Sequence, residues 1–408
     1  MNLAKLLLAL ILAFPTIAAA DVVIGESGTT CAQDGACTNR FHPDIPMVAS
    51  ADPGERIVMK GKNARDLQLV STDQSAADRF ASAGPSGIAH PLVGPVYING
   101  AERGDVLAVT IESIDPGPIG WTSASPFGFA ADAIGMESRF ILWRLTDEYA
   151  ETEALPGVRI PNASFPGVIA TMPDADMLST MLEREASLAE AGGAVLLPDT
   201  DSAQPTSLCG EEGSKPGECL RTIPPRENGG NMDIRYLKVG TTVYLPCNID
   251  GCGLSIGDFH YAQGDGEVSG TAIEMDADIT VTTEVFKNGP DLSHGPHYAG
   301  PATLLDIPST SFYATTGYPL KAAGEIPGDI EYLANTKAAN LTNLSKDLNL
   351  AAQNALVAMI DYIERTYGYD RTQAYMIASV AVDLRIAQLV DIPNVGVTAI
   401  LPLDIFVQ

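Results

Sequence analysis

Thr242–Val281 reads TVYLPCNIDGCGLSIGDFHYAQGDGEVSGTAIEMDADITV, and this stretch decides the class of fold. Runs rich in Val, Ile, Thr and Tyr, such as Thr242-Val243-Tyr244-Leu245 and the segment leading to Ile279-Thr280-Val281, are broken by Gly, Pro and Asp. β-Branched and aromatic side chains suit a pleated, half-buried surface, while Gly and Pro supply turns, so the segment reads as strand, turn, strand. The same pattern extends outward to Val106-Leu107-Ala108-Val109-Thr110-Ile111, and 38 Gly and 28 Pro punctuate the whole chain of 408 residues. The expected class is mainly β (α+β), with strands of about five to eight residues in a β-sandwich or barrel architecture.

Helix is expected only near the C-terminus. Leu356, Met359, Ile360 and Ile363 repeat at i, i+3, i+4 and i+7, the spacing of one buried stripe. A second stripe of Ile377, Val380, Ala381 and Leu384 follows Asp370, which is placed to cap that helix with Gln373 reaching back. The pair predicts an αα-hairpin over 346–390, turning at Tyr367-Gly368-Tyr369, with Val397–Leu401 as a last buried strand after Pro393.

At the other end, Lys5, the apolar run Leu6–Phe14 and Ala18-Ala19-Ala20 have the layout of a cleaved export signal. The run is shorter than the ~20 residues a membrane span needs. The remaining chain exceeds what one core usually holds, so the expected organisation is a signal peptide at 1–20, a β-rich lobe at 21–198, an irregular cysteine-containing loop at 199–229 and a β-rich catalytic lobe at 230–408. The formal charge is -27, with 51 acids against 24 bases. A field of that sign repels phosphate backbones and anionic lipid, so neither nucleic acid nor membrane is an expected partner. The expected location is the periplasm or the exterior. Six cysteines lie as close pairs, Cys31 with Cys37, Cys209 with Cys219 and Cys247 with Cys252. Sequence alone allows many pairings, and an oxidising compartment with local spacing favours three short-loop disulfides. No pair has the C-x-x-C spacing of a zinc site.

The densest polar cluster runs from Glu227 to Glu274. On a strand, Asp258 and His260 point to one face because side chains alternate, which presents a carboxylate and an imidazole to a single ion or substrate. Gly257, Gly264 and Gly266 permit a backbone that returns Asp265 and Glu267 toward the same centre. Such a set suits a divalent cation, zinc ahead of calcium or manganese. Asp258 with His260 also reads as a structural pair, and Gly-Asp-Gly as ordinary turn chemistry. Five histidines limit the alternatives. His42, in Asn39–Pro46, reads as a loop hydrogen-bonder, and His294 and His297, flanking Gly295-Pro296, read as loop residues. Gly253-Leu254-Ser255-Ile256-Gly257 matches a nucleophile elbow in letters only, since the segment after Ser255 is glycine-rich and non-helical and His260 follows only five residues on. The Ser/Gly-rich stretch of Ser-Ser-Lys amidases does not occur in the chain, and the cysteines are better explained as pairs than as a nucleophile.

Gly229–Asp233, Tyr244-Leu245-Pro246, Gly257–Val268 and Gly270–Glu274 together resemble the signature of the acetamidase/formamidase family. His42–Pro46, Gly94–Ile98, Gly100–Asp105, Ala378–Ile386 and Gly396–Asp404 are similar to further motifs of that family, in order, over nearly the whole chain after the signal. The resemblance implies a β-sandwich and barrel with a C-terminal helical pair, a homo-oligomer, and hydrolysis of short amides to ammonia and a carboxylate. It strengthens Asp258, His260, Gln263 and Glu267 as site residues and adds Asn231 and Asp233. Phe259 and Tyr261 replace the small residues expected beside the histidine, and Val395 stands where proline is expected.

The expected mechanism has a divalent ion on Asp258 and His260, with Asp233 or Asp265 joining. Glu267 would serve as general base and proton shuttle, and Asn231 or Gln263 as oxyanion donor. The competing expectation is an exported β-sandwich that binds a small polar ligand or carbohydrate without catalysis, with calcium in the Asp265–Glu267 loop.

Overall fold

The computed structural model describes residues 20–74, 89–124, 128–190, 192, 195–292, 295–325, 339–344, 346–388 and 395–407. The expected signal therefore lies outside the described residues apart from Ala20, as do His294, Pro393 and the end of the expected hairpin.

The strand-rich reading is borne out, with longer strands than expected. Val106–Ala124 and Glu274–Phe286 run antiparallel along almost their full lengths, from Val106 opposite Phe286 to Trp121 opposite Glu274. The segment Asp115-Pro116-Gly117-Pro118 looks like a turn, yet the strand continues through it. Gly117 permits this, since a Cβ there would sit 2.8 Å from the Asp276 carbonyl oxygen. These two strands lie in the middle of a sheet of sixteen described strands. Its main path runs Arg159–Pro161, Tyr149–Glu151, Arg139–Leu145, Val106–Ala124, Glu274–Phe286, Cys252–His260, Phe165–Ala170, Gly229–Asn231 and Pro225–Arg226. Long strands change partners along their length: Glu274–Phe286 also pairs with Ile57–Gly61, and Cys252–His260 with Leu92–Ile98. The sheet thereby branches around one large apolar cluster that includes Ile57, Val96, Trp143, Phe165, Phe259, Tyr261 and Ile279.

The expected division at 199–229 meets a sheet that does not divide there. Strands from 92–170 alternate with strands from 225–286, and the segment itself adds Pro225–Arg226 to the sheet edge while Leu220–Arg221 pairs with Arg40–Phe41. A further correction concerns Ala175–Glu190, a helix inside the region read as β-rich. Asp174 caps it by accepting a hydrogen bond from the Met177 amide, and its buried stripe is Leu178, Met181 and Glu185. The third position of that stripe is charged because it pairs with buried Arg226 at 2.7 Å.

At the C-terminus, helix Leu348–Tyr367 is capped by Asp347 and ends at Gly368, whose φ of 77° closes the turn. Helix Arg371–Ala381 begins with the expected capping box between Asp370 and Gln373. It is shorter than the expected hairpin, because the chain becomes strand Asp383–Gln388. That strand and Phe312–Gly317 flank Gly396–Pro402 in a separate antiparallel sheet. Gly317 lets this sheet touch the first helix, since a Cβ there would lie 2.0 Å from the Ala351 carbonyl oxygen. The cysteines form the three short-loop disulfides Cys31–Cys37, Cys209–Cys219 and Cys247–Cys252. No described helix is long and apolar enough to cross a membrane.

Candidate active site

Strand Cys252–His260 supplies the centre of the site through Asp258 and His260, both buried. Antiparallel pairing sets Phe165 opposite His260 and Val168 opposite Gly257, so Gly167 faces Asp258. A Cβ on Gly167 would lie 2.6 Å from Asp233 Oδ1, 2.7 Å from Asp258 Oδ2 and 2.9 Å from His260 Cε1. The missing side chain is thus the space in which the functional groups meet. On the other side, Glu274 starts its strand opposite His260 and brings Oε2 within 3.3 Å of His260 Nε2, while Asp258 Oδ2 lies at 3.4 Å and Asp233 Oδ1 at 4.0 Å.

His260 is held in one orientation. Its Nδ1 meets Gln263 Oε1 at 2.8 Å, and Gln263 Nε2 donates to the Asp233 carbonyl oxygen at 2.8 Å. The second bond fixes which end of the amide faces the ring, so Nδ1–H donates and Nε2 is left toward the acids. Both ends of Gln263 are therefore engaged. Its place is behind the histidine, in contrast to the expected oxyanion donor. Phe165 packs edge-on against the ring, with centroids 5.0 Å apart.

Two groups of donor atoms lie within 4.8 Å of one another: Asp233, Asp258 and His260, and His260, Glu267 and Glu274. Asp265 belongs to neither. Its Oδ2 instead accepts from the Tyr236 hydroxyl at 2.6 Å, and Gly266, with a φ of 107°, redirects the chain between Asp265 and Glu267. Glu274 and His90 are the residues that sequence reasoning missed as site members. His90 Nε2 lies 3.9 Å from Asp258 Oδ2. Glu274 stood within the polar cluster, and its position opposite His260 was the available signal. For His90 the chain offered none, since it arrives through pairing of Leu92–Ile98 with the central strand.

Asp233, Asp258 and Glu267 have φ of 48°, 55° and 42°, the left-handed region that residues with a Cβ adopt at a cost of about 1 kcal/mol each. Burial also works against ionisation of every carboxyl here. It pushes Asp233 up to about 6 against the pull of His260. Burial and the Asp233 carboxylate hold Glu267 well above the usual carboxyl range, and burial raises Glu274 as well. Asp258 goes the other way: burial opposes its charge, but the His90 and His260 rings hold it at about 2. Burial likewise disfavours an imidazolium at His260, yet Glu274 and Asp258 hold it well above its ordinary value.

Asp233 Oδ1, Asp258 Oδ1, His260 Nε2, Glu274 Oε2 and Asn231 Oδ1 are buried with no hydrogen-bond partner among the described residues. Buried polar atoms normally find partners, and the Asp233, Asp258, His260 and Glu274 atoms surround one space as the donors to a ligand would. Carboxylate oxygens with one imidazole nitrogen are the donor set of a divalent cation, and these residues fit one. Asn231 lies on the strand beside Phe165–Ala170, in register with Val168 and Gly257 and one position off the Gly167–Asp258 pair. The aromatic departures at 259 and 261 stay away from the centre. Phe259 is fully buried over Gly61, and the Tyr261 hydroxyl donates to the Thr146 carbonyl oxygen. His42 is a loop hydrogen-bonder as expected, its Nδ1 accepting from the Asp44 amide.

Known proteins share this arrangement of chain. The model of the acetamidase/formamidase family matches residues 24–408. A Schizosaccharomyces pombe protein provisionally named a formamidase is 34% identical over 387 residues, covering 90% of this chain and 89% of its own. The formamidase of Methylophilus methylotrophus is 30% identical over 391 residues, covering 92% and 90%. The solved structure of a gamma lactamase from Delftia acidovorans superposes with a TM-score of 0.80 at 27% identity, covering 95% of this chain and 93% of that one.

Proposed function

Since the chain belongs to the acetamidase/formamidase family and is an amide C–N hydrolase, we propose that it cleaves short aliphatic amides, of the formamide and acetamide kind, to ammonia and a carboxylate. The observation that carries this reading is the convergence of orphaned acid and imidazole atoms on the space left by Gly167.

Asp233, Asp258 and His260 would hold a divalent cation there, zinc ahead of calcium or manganese because an imidazole joins the carboxylates. When bound, such an ion polarises the amide carbonyl and makes a neighbouring water more acidic. Glu267, beside this group, takes a proton from the water as its oxygen attacks the carbonyl carbon. The C–N bond then breaks, and Glu267 returns the proton to the departing nitrogen, so that acid and base are one residue used twice. We assign the oxyanion donor, a contact worth a few kcal/mol, to Asn231, two residues before Asp233. Gln263 keeps His260 in the tautomer that leaves Nε2 for the cation.

The test is ammonia release from formamide, acetamide, propionamide and γ-butyrolactam by purified protein, before and after chelation and metal add-back. The expected outcome is release from the short open-chain amides that stops on chelation and returns with one metal. In Glu267→Gln we expect turnover to fall at least ~100-fold with folding intact. Near-normal turnover in that variant removes Glu267 from the chemistry, and release from no amide favours the binding-only reading.

We also propose export to an oxidising compartment and assembly into a homo-oligomer, without nucleic-acid or membrane partners. The leader-like run Leu6–Phe14 and the three disulfides support export. Exposed Phe312 and Tyr313 on an edge strand support self-association, and the charge of -27 argues against anionic partners. N-terminal sequencing of the exported protein and light scattering test these points.

A further inference from the structure

The loop Gln263–Thr271 carries Glu267 and is held from outside the main sheet. The Gly264 amide donates to the Ser379 carbonyl oxygen at 2.9 Å, and the Ser269 amide to the Ser379 hydroxyl at 3.1 Å. The Ser379 hydroxyl donates to the Thr271 carbonyl oxygen at 2.8 Å, and the Tyr375 hydroxyl donates to the Val268 carbonyl oxygen. Gly264 is pressed so closely on this support that a Cβ would lie 2.1 Å from the Val382 carbonyl oxygen. All of these supports come from helix Arg371–Ala381 and the residues just after it.

Where that helix ends, Asp383 gathers three segments on one carboxylate. Its side chain is 2% exposed. Oδ1 accepts from the Asp265 amide at 3.2 Å and from Arg235, and Oδ2 accepts from Arg385 Nη2 at 3.0 Å. The Leu384 amide returns a bond to the Asp265 carbonyl oxygen at 3.1 Å. Arg235 lies two residues beyond Asp233, and Asp265 two residues before Glu267. One carboxyl group therefore ties the segment bearing a candidate ligand to the loop bearing the candidate base.

We propose that Asp383 is a positioning residue for catalysis, setting Glu267 against Asp233 through the Asp265 amide and Arg235. This rests on the reading of Glu267 as the base. Glu267 sits at a φ of 42° in a loop without regular structure, so its placement depends on what clamps the loop. Displacement of a reacting group by about 1 Å costs on the order of 100-fold in rate.

The experiment compares Asp383→Asn, Asp383→Ala, Glu267→Gln and Glu185→Gln for kcat, KM, bound metal and thermal midpoint. Glu185→Gln weakens a buried ion pair with Arg226, which joins helix Ala175–Glu190 to the strand at the sheet edge. The expected result is a kcat lowered ~100-fold in Asp383→Ala and ~10-fold in Asp383→Asn, which keeps an acceptor for the Asp265 amide, with KM within ~2-fold and metal content unchanged. Glu185→Gln should lower the midpoint and leave kcat alone. Asp383→Asn is near-isosteric and keeps the comparison available if Asp383→Ala does not fold. Wild-type kcat in folded Asp383→Asn, with Glu267→Gln inactive, overturns the positioning role and leaves the base assignment standing. Full turnover in Glu267→Gln overturns both.

Discussion

Gly167 shows how much of the site depends on one absent side chain. Its backbone conformation does not require glycine, so Gly167→Ala should fold, yet the new methyl would fall within 2.7 Å of both Asp233 and Asp258 oxygens. We expect this variant to lose at least ~100-fold in amide turnover and most of its bound metal, with a nearly unchanged far-UV spectrum; retained metal would contradict the geometry. Asp66 gives a pH-dependent case away from the site. Burial pushes it up to about 6, although the Cys31 amide donates to it. The folded state then holds this proton more tightly than the unfolded state, so the contribution to stability is present below the ordinary value and is lost as pH rises through about 6. Asp66→Asn should therefore gain on the wild type by roughly 2 kcal/mol between pH 4 and pH 7 in chemical denaturation, and an equal gap at both pH values would refute the assignment. At this scale the sequence was informative wherever a residue's neighbours lie close along the chain. Asp258 with His260 and Gln263 with His260 are local relations. Asp265 was misplaced because the left-handed backbone at Gly266 and Glu267 sends the two acids different ways, and His90 and Glu274 join the centre through strand pairing that no single segment encodes.

Among elements, the C-terminal hairpin was legible in detail because period, cap and turn residue agreed. Its second helix opens with Asp370, which accepts from the Gln373 amide at 2.8 Å and pairs with Arg139 at 2.8 Å. Asp370→Ala should lower stability by about 1 kcal/mol, seen as a drop in thermal midpoint, and should also lower kcat if loosening this helix loosens the loop it supports. Helix Ala175–Glu190 escaped notice for a physical reason: Glu185 occupies a core position, and only its partner Arg226, distant in sequence, makes a charge acceptable there. The long strand Val106–Ala124 was read short because Pro116, Gly117 and Pro118 look like a stop. Nothing local reveals that the Asp276 carbonyl lies against Gly117.

At the scale of the molecule, composition and turn spacing were enough for the mainly β class, while the arrangement of strands was not legible, because register is a property of pairs. The interleaving of strands from 92–170 with strands from 225–286 leads us to expect that fragments 21–198 and 230–408 are each insoluble or unfolded when produced alone, whereas the intact chain unfolds in one transition. Two soluble fragments with cooperative melting would show that the shared sheet is dispensable. The central pairing of Val106–Ala124 with Glu274–Phe286 also bears on how the chain reaches this state. A growing polypeptide cannot close that pair until residue 286 has emerged, so for most of its synthesis it presents unpaired strand edges. High contact order of this kind slows folding, and the waiting chain becomes a client for holdase chaperones with aggregation as the rival outcome.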